Sequence, residues 1–134
     1  MADKMNFELV SPERRLAAGE ADMVTIPGME GDIGALPGHA PFLTTLRPGV
    51  LTVTGGEAEG EYFVTGGFAE ITPEGVAILA EETLARAELD REFLDERITK
   101  ARAELDEIDS QDHHGQRTAS QRLNDLLTAV EHMF

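Results

Sequence analysis

The sequence predicts a β + α chain: an N-terminal β-sandwich of many short strands over residues 1–85, then a C-terminal antiparallel two-helix hairpin over residues 86–134. Three observations predict it. All six prolines (12, 27, 37, 41, 48 and 73) fall in the first 80 residues, whereas residues 81–134 hold no proline and one glycine, Gly115. The segments Val50-Leu-Thr-Val-Thr54 and Phe68-Ala-Glu-Ile-Thr72 contain apolar and polar residues alternating with period two, as half-buried strands do. Beyond residue 90 the apolar residues recur instead at intervals of three and four.

Taken in order, the predicted strands are Asn6–Val10, Met23–Ile26, Phe42–Leu46, Val50–Thr54, Tyr62–Thr65, Ala69–Thr72 and Val76–Leu79. Gly55-Gly56, Gly66-Gly67 and Pro73-Glu74-Gly75 stand where hairpin turns are expected. The inward face draws on Phe7, Leu9, Val24, Ile26, Leu51, Val53, Phe63, Ile71, Val76 and Ile78. Such short, frequently turned strands fit a sandwich or small barrel. The change of grammar places the boundary between Ala80 and Leu89.

In the second segment Leu94, Ile98, Ala101, Leu105 and Ile108 form one stripe, and Ala119, Leu123, Leu126, Val130 and Met133 form another. Each is narrow, close to a coiled-coil seam. Asp90 is the predicted N-cap, with Leu89 and Leu94 placed for a hydrophobic staple. Ser110-Gln-Asp-His-His-Gly115 interrupts the pattern, so His113 and His114 are expected to follow the first helix. A lone helical hairpin buries a single seam, so its independent stability should be marginal.

Bulk composition narrows the function. The formal net charge is −15. Such a surface repels nucleic acid, whose binding rests on cationic neutralisation of phosphate, and it repels anionic lipid likewise. With no cysteine there is no disulfide, thiolate metal site or cysteine nucleophile. The start, Met1-Ala-Asp-Lys-Met-Asn6, reads as neither a secretory leader nor an Arg-rich transit peptide. No stretch has the roughly 18 consecutive apolar residues of a membrane span.

No nucleophile elbow, P-loop, zinc-protease helix or dinucleotide fingerprint occurs, and the four histidines (39, 113, 114 and 132) show no catalytic pattern. Catalytic residues are therefore expected to be none. His113 and His114 beside Asp112 lack the further ligands that a fixed metal geometry needs, so no metal site is expected. The most unusual segment is Pro27–Gly49, which places five glycines and four prolines in 23 residues. It reads either as tight strand connections or as a stiff rim built to be touched by a partner.

Within it, Gly31-x-x-Gly34-x-x-Pro37-Gly38-His39-Ala40-Pro41-x-x-Thr44-x-Leu46-x-Pro48-Gly49 closely resembles the signature segment of the epsilon subunit of bacterial F-type ATP synthases. Phe7-Glu-Leu-Val-Ser-Pro-Glu-Arg14, Gly66-Gly-Phe-Ala-Glu-Ile71 and Val76-Ala-Ile-Leu-Ala-Glu81 extend the resemblance over nearly the whole chain. The resemblance implies about ten strands in the sandwich and a non-catalytic place in the rotor's central stalk. There the sandwich would bind the gamma subunit and rest on the c-subunit ring, at the cytoplasmic face of the bacterial inner membrane, attached only through the complex.

Residue by residue, it implies ring contact for Glu30, Gly31 and Asp32, and gamma contact for Ser11, His39 and Thr44. Some members bind ATP between the helices. Leu89-Asp90-Arg91-Glu92 keeps the first half of that pattern, but Phe93-Leu94 stands where Arg-Ala is expected. The nucleotide candidates are thus Asp90, Arg91 and Arg97; the expectation is no cofactor, with ATP binding by the hairpin left open. In many relatives the helices also reach the catalytic alpha and beta subunits and inhibit hydrolysis. Here Arg117 and Arg122 are balanced by Asp125 and Glu131, so the second helix is expected to be a weak electrostatic latch. The alternatives are a stand-alone acidic interaction module that dimerises through its hairpin, and an enzyme whose site carries no recognisable motif.

Overall fold

A computed structural model describes residues 4–133; residues 1–3 and 134, at the outer ends of the two predicted segments, lie outside the described residues. The strands are β1 (Met5–Val10), β2 (Arg15–Ala21), β3 (Met23–Gly28), β4 (Gly31–Ala35), β5 (Phe42–Leu46), β6 (Gly49–Thr54), β7 (Gly60–Val64), β8 (Gly67–Thr72), β9 (Gly75–Ala80) and β10 (Thr83–Ala85). A 3₁₀ turn, Arg86–Glu88, precedes α1 (Arg91–Glu107) and α2 (His113–Met133). Two compact units meet between Glu88 and Leu89.

The strands run in the order β10-β7-β6-β3-β5-β8-β9-β1-β2, with β4 paired to β3. Pairing is antiparallel except for the parallel β1–β9 ladder. This ladder folds over on itself. Phe7 of β1 and Tyr62 of β7 belong to strands near opposite ends of the order, yet their ring centroids are 6.4 Å apart. The two layers thereby enclose one core, in which Phe7, Leu9, Val24, Ile26, Leu51, Val53, Ile71, Val76 and Ile78 are all buried as predicted. Phe63 is buried too, but it is not part of that core. Strand alternation gives the inward positions of β7 to Tyr62 and Val64, which corrects the predicted inward face.

Gly55-Gly56 and Pro73-Glu74 do lie in the connections of the β6–β7 and β8–β9 hairpins. Gly56 has φ +82°, and a Cβ there would sit 1.8 Å from the Glu20 carbonyl oxygen, so the turn admits only glycine. Gly66-Gly67 is different. It joins β7 to β8, which are not neighbours, so it is a crossover between layers rather than a hairpin turn. The crossover is tied down by Thr65, whose N–H donates to the Glu82 carbonyl and whose hydroxyl accepts from the Glu82 N–H, both at 3.1 Å.

In the helical unit Asp90 caps α1, accepting from the Phe93 N–H at 2.8 Å. Leu89 and Leu94 are both buried, as a staple requires. α1 ends at Ile108, which is extended (φ −75°, ψ 132°). Asp112 then accepts from the Gly115 N–H at 2.9 Å and opens α2. A side chain at position 115 would collide with that carboxylate, 2.4 Å away. His113 and His114 follow α1, as expected, but they lie in the first turn of α2. The dipole there favours anions, opposite to the environment predicted for them.

Leu94, Ile98 and Ala101 are the buried residues of the α1 stripe. On α2 the buried set is Asp125, Leu126, Ala129 and Met133, so the seam is turned toward Ala129 and away from the half-buried Leu123 and Val130. Asp125 enters this apolar surface with its carboxylate bonded to Gln121 Nε2 at 2.9 Å. No helix among the described residues is long and apolar enough to cross a membrane.

Candidate docking site

The predicted rim is built from the β3–β4 hairpin, the loop after it and β5. Met29 and Glu30 form the hairpin tip between Gly28 and Gly31, which face each other in register. A Cβ at position 28 would be 2.8 Å from the Gly31 carbonyl oxygen, and Gly31 itself has φ +140°. Glycine at both ends lets the two strands close this tightly. The Met29 N–H donates to the Thr45 carbonyl at 2.9 Å, which seats the tip on β5.

A depression of about 300 Å³ opens beside the hairpin, lined by Glu30, Gly31, Asp32, Ile33, His39, Phe42 and Thr44. Two sets of residues assigned separately from sequence, Glu30, Gly31 and Asp32 on one hand and His39 and Thr44 on the other, share this surface. His39 is anchored by its own loop: Nδ1–H donates to the Ala40 carbonyl at 2.7 Å, leaving Nε2 for another partner. The Thr44 hydroxyl donates to the Thr45 carbonyl at 3.3 Å. Ser11 lies elsewhere, in the β1–β2 turn, where its N–H and hydroxyl both point to the Arg14 carbonyl at 2.8 and 3.4 Å.

The site also contains residues that the sequence reading did not single out. Leu43, Phe68 and Leu79 are 67%, 56% and 60% exposed. Phe68 pairs with Leu79 across β8–β9 and with Thr45 across β5–β8, so these side chains share the outer face of three adjacent strands. Met29, Leu36 and Phe42 are about half exposed around the rim. Exposed apolar residues clustered this way on so acidic a chain have the character of a docking surface. The available signal was consecutive apolar residues, Phe42-Leu43 and Ile78-Leu79, where one-sided burial calls for alternation.

Asp32 is not a free carboxylate: its Oδ1 accepts from Arg47 Nη2 at 2.5 Å. At the end of the strand unit, Glu88 accepts from Arg14 Nη2 through both oxygens at 3.0 Å and from the Ala85 N–H at 3.3 Å. The Arg14 bond, then the backbone bond, hold its carboxyl below the ordinary value. Arg86 pairs with Glu61 of β7, so the 3₁₀ turn stays with the sheet.

The nucleotide candidates are each engaged locally. Asp90 is the α1 cap. Arg91 Nε pairs with Asp95 at 3.3 Å one turn on. The Arg97 guanidinium lies 4.1 Å from the centroid of the Phe93 ring and pairs with Glu96 at 3.7 Å. Among the described residues no group of three or more histidine or acidic side chains is placed to hold a metal ion.

Comparison with known proteins gives concordant matches. The family model described as "ATP synthase, Delta/Epsilon chain, beta-sandwich domain" matches residues 4–86. The ATP synthase epsilon chain of Maricaulis maris (strain MCS10) is 45% identical over 130 residues, covering 97% of this chain and 98% of the relative. That of Ruegeria sp. (strain TM1040) is 49% identical over 135 residues, covering 99% and 98%. Among solved structures, a chain in the cryo-EM structure of the Euglena gracilis mitochondrial ATP synthase, OSCP/F1/c-ring in rotational state 1, aligns with a TM-score of 0.71 and 26% identity, covering 98% of this chain and 82% of that one.

Proposed function

Because the chain belongs to the ATP synthase epsilon-chain family, we propose that it clamps the gamma subunit to the ring of c subunits, so that torque from ion flow reaches the catalytic head. It is an epsilon-type subunit of the rotor stalk, a component of the complex rather than its catalytic subunit. Its role is mechanical: it makes and breaks no bond. It is peripheral to the membrane, held through the complex at the cytoplasmic face of the bacterial inner membrane.

The observation that carries this reading is the shared depression of Glu30, Gly31, Asp32, His39 and Thr44 beside an apolar strand face. A coupling needs two docking surfaces on one stiff body. The acidic hairpin tip suits the polar loops of the ring, and the apolar outer face of β5, β8 and β9, together with His39 and Thr44 in the depression and Ser11 in the β1–β2 turn, suits gamma. Asp90, Arg91 and Arg97 are each engaged in contacts that a nucleotide would have to displace, which supports a hairpin working without bound ATP. The hairpin is then free to approach the alpha and beta subunits, with the weak electrostatic hold that its balanced second helix allows.

The chain has no cysteine, so single introduced thiols are unique reporters. In the assembled enzyme, Glu30→Cys carrying a short crosslinker should yield an adduct with the ring subunit, and Ser11→Cys or Thr44→Cys an adduct with gamma. Adducts of all three variants with unrelated proteins, or none in an intact complex, would reject the assignment.

A further inference from the structure

Glu30 and Asp32 stand two residues apart on one hairpin, and both reach solvent, yet their surroundings differ. Asp32 accepts from Arg47 Nη2 at 2.5 Å, while Nη1 of the same guanidinium donates to the Gly28 carbonyl at 2.6 Å. Gly28 ends β3 and Asp32 lies in β4, so one planar group bridges both strands of the hairpin. The Arg47 main chain adds a third tie, its N–H donating to the Pro27 carbonyl at 3.0 Å. Behind it Pro48 and Gly49 are buried, and a Cβ at Gly49 would come within 3.1 Å of Pro27, so this turn packs directly on the hairpin base. Glu30 at the tip is exposed and makes no ion pair or side-chain hydrogen bond among the described residues.

We infer that Arg47 is a positioning residue of the docking rim: it splints the β3–β4 hairpin and neutralises Asp32, leaving Glu30 as the carboxylate presented to a cationic or amide-bearing partner loop. The inference rests on the reading of the rim as a docking surface. A guanidinium suits the task because it is a rigid fork with several donors, so it holds a carbonyl and a carboxylate together. A lysine ammonium is a point charge and cannot fix the same plane. Asp32 then acts through the shape of the hairpin, and Glu30 through its field. A free rim charge governs encounter rate and salt dependence, whereas a neutralised one does not.

The test uses the full chain carrying Arg47→Met, Arg47→Lys, Asp32→Ala, the double variant Arg47→Met/Asp32→Ala, and Glu30→Gln. Amide hydrogen exchange of residues 28–33 is followed in the free chain, with β6 and β8 amides as the internal reference. Arg47→Met, which loses the bonds to both Gly28 and Asp32, should accelerate rim exchange about tenfold, and Asp32→Ala, which loses one of them, by less. The double variant should add little to Arg47→Met, because that change already removes the Arg47–Asp32 bond. Arg47→Lys should recover only part of the protection. Glu30→Gln should leave exchange unchanged but flatten the salt dependence of the association rate with a gamma–ring subcomplex. Unchanged rim exchange in Arg47→Met, or fully additive effects in the double variant, would overturn the splint. Asp32→Ala flattening the salt dependence as strongly as Glu30→Gln would return the docking charge to Asp32. Failure of the unmodified chain to bind the subcomplex would reject the docking reading instead, and exchange in the free chain still decides the splint.

Discussion

Replacing Phe68 with alanine separates a docking role from a folding role. Phe68 is 56% exposed on the outer face of β8, paired with Leu79, which is 60% exposed. A phenylalanine side chain spans roughly 150–250 Å², so its exposed part is about 80–140 Å², and covering that part at about 25 cal/mol per Å² contributes about 2–3.5 kcal/mol. This is an upper bound, because alanine keeps the Cβ and real interfaces cover a residue incompletely. If gamma sits on this face, Phe68→Ala should weaken the isolated gamma–chain complex at least about tenfold and at most about 300-fold in Kd. Titration calorimetry with purified gamma reads this directly. Because the lost surface already faces solvent, urea unfolding of the free variant should shift by no more than about 0.5 kcal/mol. Wild-type affinity would refute the reasoning, and so would an affinity loss matched by an equal loss of fold stability.

Three further outcomes follow from the same structure. Asp90→Ala removes the α1 cap and should cost about 1 kcal/mol in the helical unit, read as lost helical ellipticity on heating; a cost near zero would mean the cap is redundant. The Glu88 carboxyl is depressed in the folded chain by Arg14 and the Ala85 N–H, so its contribution to stability is present above the ordinary value of 4.5 and is lost as pH falls through the folded one. Glu88→Gln should therefore unfold more easily than the unmodified chain at neutral pH, with the gap closing as the solution is acidified below that value; a gap that widens in acid would contradict the assignment. Truncation after Glu88 should leave ATP hydrolysis by the assembled enzyme nearly unchanged, because Arg117 and Arg122 are balanced by Asp125 and Glu131. A large rise in hydrolysis would show that the hairpin is a strong inhibitor.

What could be read from sequence was whatever local chemistry specifies. Alternation marked β6 and β8, a carboxylate before an apolar period marked α1, and the glycine-proline segment marked the rim. The elements that escaped lack local signals. β2 is Arg-Leu-Ala-Ala-Gly-Glu-Ala, with small residues and no alternation, and becomes a strand only by pairing with β1. β4 contains two glycines and exists as the return arm of the β3 hairpin. β10 has three residues, too few to show a period. The sequence pattern starts α2 too late because Gly115 reads as a break, whereas it is the position where an Asp112 cap excludes a side chain. Gly66-Gly67 carries the composition of a hairpin turn, and only the sheet order shows that it crosses between layers. At the site, the charged and glycine positions were legible, but the apolar outer face was not, because consecutive apolar residues read equally as a fully buried strand. The link between Arg47 and Asp32 spans 15 positions and appears only once β3, β4 and the β5–β6 turn are brought together.

The most direct test of a mechanical coupling is to recover the native chain from gently solubilised membranes and identify the subunits that remain attached. The account predicts gamma and the c ring together in one particle, with recovery of the chain on membranes lost when gamma is removed. A chain that emerges alone, or as a dimer of itself, would contradict it.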